Sequence, residues 1–257
     1  DNIHILYSPG LQNLASDWVN QYVSINPGVR LGKELTTQEF TGENIEPGQY
    51  VLLSESFLAK SSNVKGWKTV VGIDVIVSVF SSDNPYCKII YKTGISPENL
   101  SGAMNIPDEA DWSKLIGNEG HKSLSIFLAG NDLMVSDLRK YYTLGQDNPI
   151  TAKSGNIDEM LVWLKKNNCA IGFCMLSDII ASGAGQLPQG IEILPIDRNN
   201  NGKLDFNEKI YGSINDFKRG VWLGKYPRAL CSNIYIFGAE KPVKESEIAL
   251  LSWIMNQ

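Results

Sequence analysis

The residues with the clearest chemical pattern in this chain lie between positions 197 and 208, in the run DRNNNGKLDFNE. Oxygen-bearing side chains alternate at its start, a glycine stands sixth and a glutamate stands twelfth. Calcium takes about six to eight oxygen ligands in proteins, and a loop of this spacing brings such oxygens to one point. The sequence therefore predicts one structural calcium ion. Its predicted ligands are Asp197, Asn199, Asn201, the Lys203 carbonyl, Asp205 (directly or through water) and Glu208.

The run matches the full EF-hand loop pattern, with Gly202 at the sharp turn and Leu204 as an apolar anchor. The alternative is a solvated turn that binds no metal. A calcium switch is not expected, because switch proteins pair two such loops between helices. Here one loop follows segment 191–196, which has a strand pattern. We therefore expect the loop to stabilise the fold and not to regulate it.

Composition limits the function classes. The formal net charge is −5 and the sequence contains no Lys/Arg run, and both features argue against a nucleic-acid partner. No apolar stretch approaches the length of a membrane span. His4 and His121 lack a metal or nucleophile pattern, so we do not expect an enzyme. A static calcium site fills readily only outside the cytosol, so we expect a periplasmic or cell-surface protein whose signal segment is not in this chain.

Strand-like and helix-like segments alternate along the chain, which predicts an α/β fold. Segment 70–80 is apolar at nearly every position, as in strands that are buried on both faces. The predicted strands are 3–7, 50–53, 70–80, 124–128, 170–173, 191–196 and 232–237. The predicted helices follow Ser8 (with Ser8 as N-cap and Pro9 as first helical residue) and Ser96, and cover 135–142, 157–164, 210–221 and 245–255. The four cysteines are predicted to be buried free thiols.

An ordered set of short motifs covers most of the chain and resembles the phosphate-type (type II) periplasmic solute-binding proteins of ABC importers. The motifs are Ser8-Pro-Gly-Leu11, Asn26-Pro-Gly-Val29, Leu53-Ser-Glu55, 72–80, Asp83-Asn-Pro85, Ala170–Phe173 and Gly224-Lys-Tyr-Pro227. The resemblance implies a two-lobed fold with hinge strands and an inserted calcium loop. Lobe 1 would contain 1–78 and 233–257, and lobe 2 would contain 79–232 with the loop 197–208.

The resemblance also implies a site for an oxyanion in the cleft between the lobes. Family members hold the anion with hydroxyls, N–H groups at helix starts, an Asp and an Arg, and helix N-termini suit anions because their unpaired N–H groups face outward. The positions that match are Ser8, Gly10, Leu11, Ser54, Glu55 and Ser136. Helix capping or turn formation is the alternative role for the three serines.

This sequence departs from the family pattern in two places. Glu55 stands where the family has Asp, and the stretch 129–136 contains no Arg. The resemblance implies a monomer that binds a small anionic or polar solute, phosphate-like by family, and serves a membrane ABC permease. Because the anion-binding Arg is missing, an alternative is a ligand-free fold that acts as an extracellular interaction or sensing module.

Overall fold

The chain divides into two compact units, which we describe separately. Unit 1 contains Asp1–Asp74 and Ser232–Gln257, and unit 2 contains Val75–Cys231. The computed structural model describes residues 2–61, 64–105, 110–117, 121–145, 150, 152–182 and 185–256, apart from the side chains of residues 181 and 182. Within these described residues, no helix is long and apolar enough to cross a membrane.

Unit 1 contains a mostly parallel sheet with the strand order β2-β1-β3-β9. β1 runs parallel to both β2 and β3, and β9 runs antiparallel to β3. The strands are β1 (Ile3–Tyr7), β2 (Val29–Glu34), β3 (Gln49–Ser54) and β9 (Cys231–Gly238), and the helices are α1 (Gln12–Tyr22), α2 (Glu55–Lys60) and α10 (Glu245–Ile254). The next strand in the order, β4 (Trp67–Ser81), leaves unit 1 after Asp74.

Both faces of the unit 1 sheet are covered at β3, where Tyr50–Leu53 are all buried although successive side chains of a strand point to opposite sides. On one face, Ile3 and Ile5 pack in a core with Val19 of α1 and Ile254 of α10. On the other face the ring of Phe237 lies 5.2 Å from that of Phe40, which in turn lies 5.9 Å from Phe57 of α2. The continuous apolar run 50–53 of β3 follows from this double coverage.

Unit 2 contains the second half of β4 in the order β4-β7-β5-β6, with β8 paired to the free side of β4. β5 is parallel to β6 and β7, whereas β4 is antiparallel to β7 and β8. The strands are β5 (Ser125–Ala129), β6 (Lys153–Ser154), β7 (Ala170–Met175) and β8 (Ile191–Ile193). The helices are α3 (Cys87–Thr93), α4 (Pro97–Asn105), α5 (Ser113–Ile116), α6 (Asp132–Tyr141), α7 (Ile157–Lys166), α8 (Leu176–Ser182) and α9 (Ile214–Trp222), and a 3₁₀ turn covers Arg228–Leu230.

The core of unit 2 is built around β5 and β7. Phe127 and Phe173 are fully buried in it, together with Leu164 of α7. Trp112 is also fully buried, and its indole N–H donates a hydrogen bond to the carbonyl oxygen of Cys169 at 2.9 Å, so its polar atom is satisfied. The four cysteines are free thiols, as predicted, but of these only Cys174 is fully buried.

The predicted α/β class is confirmed. The predicted starts of α1, α6 and α9 were wrong, and α6 begins at Asp132 and not at 135. The helix after β1 begins at Gln12 and not at Pro9, because Ser8–Leu11 forms a separate turn in which Gly10 adopts a φ of 87°. The helix after the predicted calcium loop begins at Ile214 and not at 210, because the Ser213 side chain caps it by accepting from the Asp216 N–H. The sequence patterns also missed β2, whose residues are mostly exposed.

Candidate functional site

The most distinctive place in unit 1 is the carboxyl edge of its parallel strands. The chain passes from β1 through α1 to β2 on one side of β1, whereas β3 lies on the other side. The connections therefore diverge between β1 and β3. In open α/β sheets, ligands bind outside the carboxyl ends of the strands at such a switch point. The turn Ser8–Leu11 follows β1 and the pair Ser54–Glu55 follows β3, so topology brings five of the six predicted residues to this edge.

A direct hydrogen bond joins the two turns at this edge. The Ser8 hydroxyl oxygen accepts from the Ser54 N–H at 3.2 Å, and the Ser8 N–H donates to the Leu52 carbonyl at 2.9 Å. Ser8 is fully buried. The Ser54 hydroxyl accepts from the Phe57 N–H at 3.3 Å and caps α2. Each of these two serines therefore has a structural hydrogen bond; their contact with a ligand stays a prediction.

Replacing Ser8 tests how firmly the two turns are joined. We expect Ser8→Ala to lower the free energy of unfolding by about 1–3 kcal/mol, because the Ser54 N–H loses its acceptor in a partly buried place. Urea unfolding measures this loss. Ser24→Ala is the matched control, since the Ser24 hydroxyl donates to Gln21 on the exposed surface, and we expect it to change stability by less than about 0.5 kcal/mol. Equal losses of stability in both variants would contradict the structural role of the hydrogen bond between Ser8 and Ser54.

The start of α1 presents N–H groups at the same edge. Leu11 occupies the N-cap position, and no side chain caps the helix there. The Leu11 N–H itself donates to the Ser8 carbonyl at 3.1 Å, and the exposed Gly10 precedes it. The N–H groups of the first helical turn have no intrahelical acceptor, and they carry the positive end of the helix dipole. This start is suited to an anionic or polar group.

Glu55 is fixed by residues that the sequence patterns did not indicate. Its carboxylate accepts from the Asn233 N–H at 2.9 Å, and its own N–H donates to the Ser232 hydroxyl at 3.2 Å. The two hydrogen bonds tie the start of α2 to β9. No local signal could have shown this, because the partners are separated by 177 and 178 positions.

Ser136 lies in unit 2, whereas the other five predicted ligand residues lie in unit 1. It occupies the second turn of α6 and is half-buried. The start of that helix is capped by Asn131, whose side chain accepts from the Met134 N–H at 3.0 Å. Arg139, the nearest arginine in sequence, donates to the Gly145 carbonyl at 2.7 Å. The role of Ser136 in ligand binding stays a prediction.

The predicted calcium loop forms a compact turn in unit 2 whose two end carboxylates are buried. The two Asp197 oxygens accept from the N–H groups of Asn201 and Gly202 at 3.2 and 2.8 Å. The two Glu208 oxygens accept from Arg198 and Asp205 at 2.7 and 2.9 Å. The first and twelfth positions are thus 2 % and 5 % exposed, far less than acidic side chains usually are.

The middle of the loop contains the remaining predicted ligands. The Asp205 carboxylate accepts from the side-chain amides of Asn199 and Asn201 at 2.9 and 2.8 Å, and these bonds hold the Asp205 pKa below its ordinary value. Lys203 donates its N–H to the Asn201 side-chain oxygen at 3.1 Å. Among the described residues, no group of three or more His, Cys, Asp or Glu side chains is placed to hold a metal ion. Calcium binding therefore stays a prediction.

The loop is attached to three neighbouring segments of unit 2. Leu204 is buried and its N–H donates to the Lys92 carbonyl at the end of α3. The Asn200 amide donates to the Glu98 carboxylate on α4 at 2.8 Å. The Arg198 guanidinium donates to the Lys225 carbonyl at 3.0 Å. Leu204 thus anchors the loop inward, and a change in the loop's stability should spread to the helices around it.

Comparisons with known proteins support the fold and give no family by sequence. No family model and no curated protein matches the chain. Among solved structures, a protein assigned as the substrate-binding protein of a phosphate ABC transporter from Clostridium perfringens, with bound phosphate, covers 99% of this chain and 93% of its own at 9% identity, with a TM-score of 0.65. The ABC-type phosphate transport receptor of Vibrio cholerae covers 100% and 94% at 13% identity, with a TM-score of 0.60.

This chain has the type II periplasmic-binding-protein fold. A regulatory domain is similar as well: that of Synechocystis PCC6803 CcmR, in complex with 2-PG, covers 99% of this chain and 94% of its own at 11% identity, with a TM-score of 0.55. Identities this low establish the architecture alone. The predicted α/β fold of the type II periplasmic binding proteins is therefore confirmed, while its ligand is a matter for proposal.

Proposed function

We propose that this protein is an extracytoplasmic solute-binding protein that binds a small anionic or polar solute and passes it to an ABC importer. The observation that carries the proposal is the switch point of unit 1, where the uncapped start of α1 and the start of α2 meet at the carboxyl edge of β1 and β3. The likeness to phosphate-binding proteins supports it. The proposed role is binding without chemistry on the solute.

Glu55 limits the class of solute in this proposal. Its carboxylate already accepts the Asn233 N–H and stands beside the predicted ligand residues. An ionised carboxylate repels a fully ionised oxyanion but accepts a hydrogen bond from a hydroxyl or a protonated oxyanion. We therefore propose a solute that carries at least one hydroxyl or protonated oxygen at this end. Phosphate in its singly protonated form and polyols both meet this requirement.

A thermal-shift screen with calcium held constant tests the proposal. Phosphate, sulfate, molybdate, sugars and amino acids are added singly, and a true ligand is expected to raise the melting temperature by about 5–10 °C at a hundredfold excess over its Kd. Glu55→Gln removes the charge and keeps one acceptor for Asn233, so we expect it to change the Kd of that ligand by about tenfold. Glu46→Gln, exposed before the amino end of β3, is the matched control.

Two results would count against the proposal. If no solute class shifts the melting temperature, the transport role is wrong. If a solute binds but Glu55→Gln and Glu46→Gln leave its Kd equally unchanged, the solute binds elsewhere and the switch-point site is wrong. Isothermal titration of both variants separates the two cases.

A second candidate function is a sensing module of the same fold. The likeness to a regulatory domain in complex with 2-PG favours it. Both functions need a bound solute, so the screen alone does not separate them. A sensing module is expected to bind a protein partner in a solute-dependent way, and an importer component is expected to stimulate ATP hydrolysis by its permease complex.

We also propose that the loop from Asp197 to Glu208 binds one calcium ion that stabilises unit 2. The support is the match at every ligand position, together with the burial of the first and last carboxylates and the inward Leu204. Gly202, with a φ of 76°, provides the left-handed turn that this loop type requires. The proposed ion is structural; its loop belongs to unit 2, whereas the switch-point residues of the proposed solute site belong to unit 1.

A further inference from the structure

The surface of unit 2 exposes three large apolar side chains near the calcium loop. Phe206 is 81% exposed, Trp222 is 78% exposed and Leu223 is 57% exposed. Soluble proteins normally expose such residues singly, and a group of them marks a surface that binds something. We call Phe206, Trp222, Leu223 and Lys225 the Phe206 patch.

The backbone explains why Trp222 and Leu223 cannot turn inward. α9 buries the stripe formed by Ile214, Phe217 and Gly220, so Trp222 lies on its outer side. The helix ends at once: Gly224 adopts a φ of 69°, and the Lys225 N–H returns to the Gly220 carbonyl at 2.9 Å. Gly220 packs so tightly against Ile210 that a Cβ would lie 2.6 Å from it. The exposed end of α9 is therefore fixed in place.

Lys225 connects this helix end to the calcium loop. Its ammonium group lies 4.8 Å from the centre of the Phe206 ring, and its carbonyl accepts from the Arg198 guanidinium at 3.0 Å. Phe206 is thus held beside the segment that carries Trp222 and Leu223, although it is distant in sequence. The Phe206 ring remains on the surface, and Lys225 is half-buried beside it.

The charge around the patch is opposite to that of the whole chain. Residues 197–228 contain seven Lys or Arg and four Asp or Glu, whereas the whole chain contains 23 Lys or Arg and 28 Asp or Glu. Lys203, in the same loop, has a 67% exposed side chain. Apolar side chains beside basic ones suit a surface that is negatively charged above and apolar beneath.

We propose that the Phe206 patch binds the surface of an anionic lipid membrane. Trp, Phe and Leu insert at the boundary between headgroups and acyl chains, while nearby Lys and Arg pair with the anionic headgroups. The three apolar side chains are 57–81% exposed on a loop and a helix end of net positive charge, and this combination favours an anionic membrane over an apolar peptide. The binding is peripheral and reversible, and it holds unit 2 at the membrane where an importer would lie.

Vesicle co-sedimentation of the full chain tests this proposal. One set of vesicles contains phosphatidylcholine alone, and the other contains phosphatidylglycerol as about one third of the lipid. We expect the protein to sediment with the anionic vesicles only. Lys225→Gln is expected to weaken binding about fivefold, and Phe206→Ser combined with Trp222→Ser to weaken it by about tenfold or more. Val243→Ser is the control, because Val243 is 81% exposed outside the patch.

The outcomes are distinct. Loss of binding in the patch variants, with melting temperatures and Val243→Ser binding unchanged, supports the proposal. Absence of sedimentation with anionic vesicles overturns it and leaves a protein surface as the occupant. Equal binding to both kinds of vesicle, or an equal loss in Val243→Ser, overturns it as well, because the apolar contact would then be unspecific.

Discussion

Chelation of calcium is expected to lower the melting temperature of the protein by about 5–10 °C. A ligand that binds only the folded state stabilises it by about 2.7 kcal/mol at a hundredfold excess over its Kd. In a protein of this size, each kcal/mol corresponds to about 2–4 °C. The effect should be large here because Asp197 and Glu208 are buried carboxylates, and a cation between the loop's oxygens offsets their mutual repulsion.

Glu208→Gln distinguishes metal binding from the loop's own hydrogen bonds. Glutamine retains one acceptor for the N–H groups of Arg198 and Asp205 but cannot bind calcium with two carboxylate oxygens. The variant should therefore melt at the same temperature with and without chelator, whatever its absolute stability. Glu240→Gln, on the exposed surface of unit 1, should keep the full shift. If chelator changes nothing in the unmodified protein and elemental analysis finds no calcium, the calcium proposal is wrong.

The parts of the fold that sequence patterns predicted well are those whose signal is local. β1 matches the predicted strand at both ends, and β4 contains the whole predicted run 70–80. The predicted burial on both faces holds only from Asp74 onward, since Val70 and Ile73 are 43% and 37% exposed. The start of α7 is also determined by neighbouring residues, because Asn156 and Glu159 form a capping box there. α1 was placed three residues early because Ser8 and Pro9 look like a helix start, whereas the Ser8 hydroxyl is committed to Ser54.

The candidate site was less predictable because its contacts are non-local. Family resemblance indicated Ser8 and Ser54, but not that they bond each other across 46 positions. Nothing in the sequence links Glu55 to Asn233, since that pair forms only when β9 returns beside β3. The calcium loop is the opposite case: its predicted ligands lie within twelve residues, so spacing alone defines the prediction.

Buried tyrosines make unit 2 sensitive to high pH. Tyr142 and Tyr226 are fully buried and Tyr211 is partly buried, and burial raises the pKa of each well above the ordinary value of 10. The Tyr226 hydroxyl donates to the Ile76 carbonyl at 2.9 Å, and the Tyr211 hydroxyl accepts from the Ile196 N–H at 3.1 Å. Burial also raises the pKa of neighbouring Tyr141 to about 12. The folded protein therefore holds these phenolic protons more tightly than the unfolded chain does.

The direction of the pH effect follows from this difference. Below pH 10 both states are protonated and the stability is complete; above pH 10 the unfolded chain loses protons that the folded state keeps, so the free energy of unfolding falls as pH rises. Each fully buried tyrosine contributes about 1.4 kcal/mol per pH unit, so Tyr142 and Tyr226 together contribute about 3 kcal/mol per pH unit and about 6 kcal/mol between pH 10 and pH 12. Since domains are stable by about 5–15 kcal/mol, we expect cooperative unfolding by about pH 12.

An alkaline titration followed by tyrosinate absorbance and circular dichroism checks this expectation. Ionisation of the buried tyrosines and loss of structure should occur together, in one transition above pH 10. Tyr226→Phe removes one titrating group along with its bond to Ile76, so it should lower stability near neutral pH but reduce the dependence on pH by about 1.4 kcal/mol per unit. If all tyrosines ionise by pH 12 while the circular dichroism remains native, these hydroxyls are reached by water and their burial does not control stability at high pH.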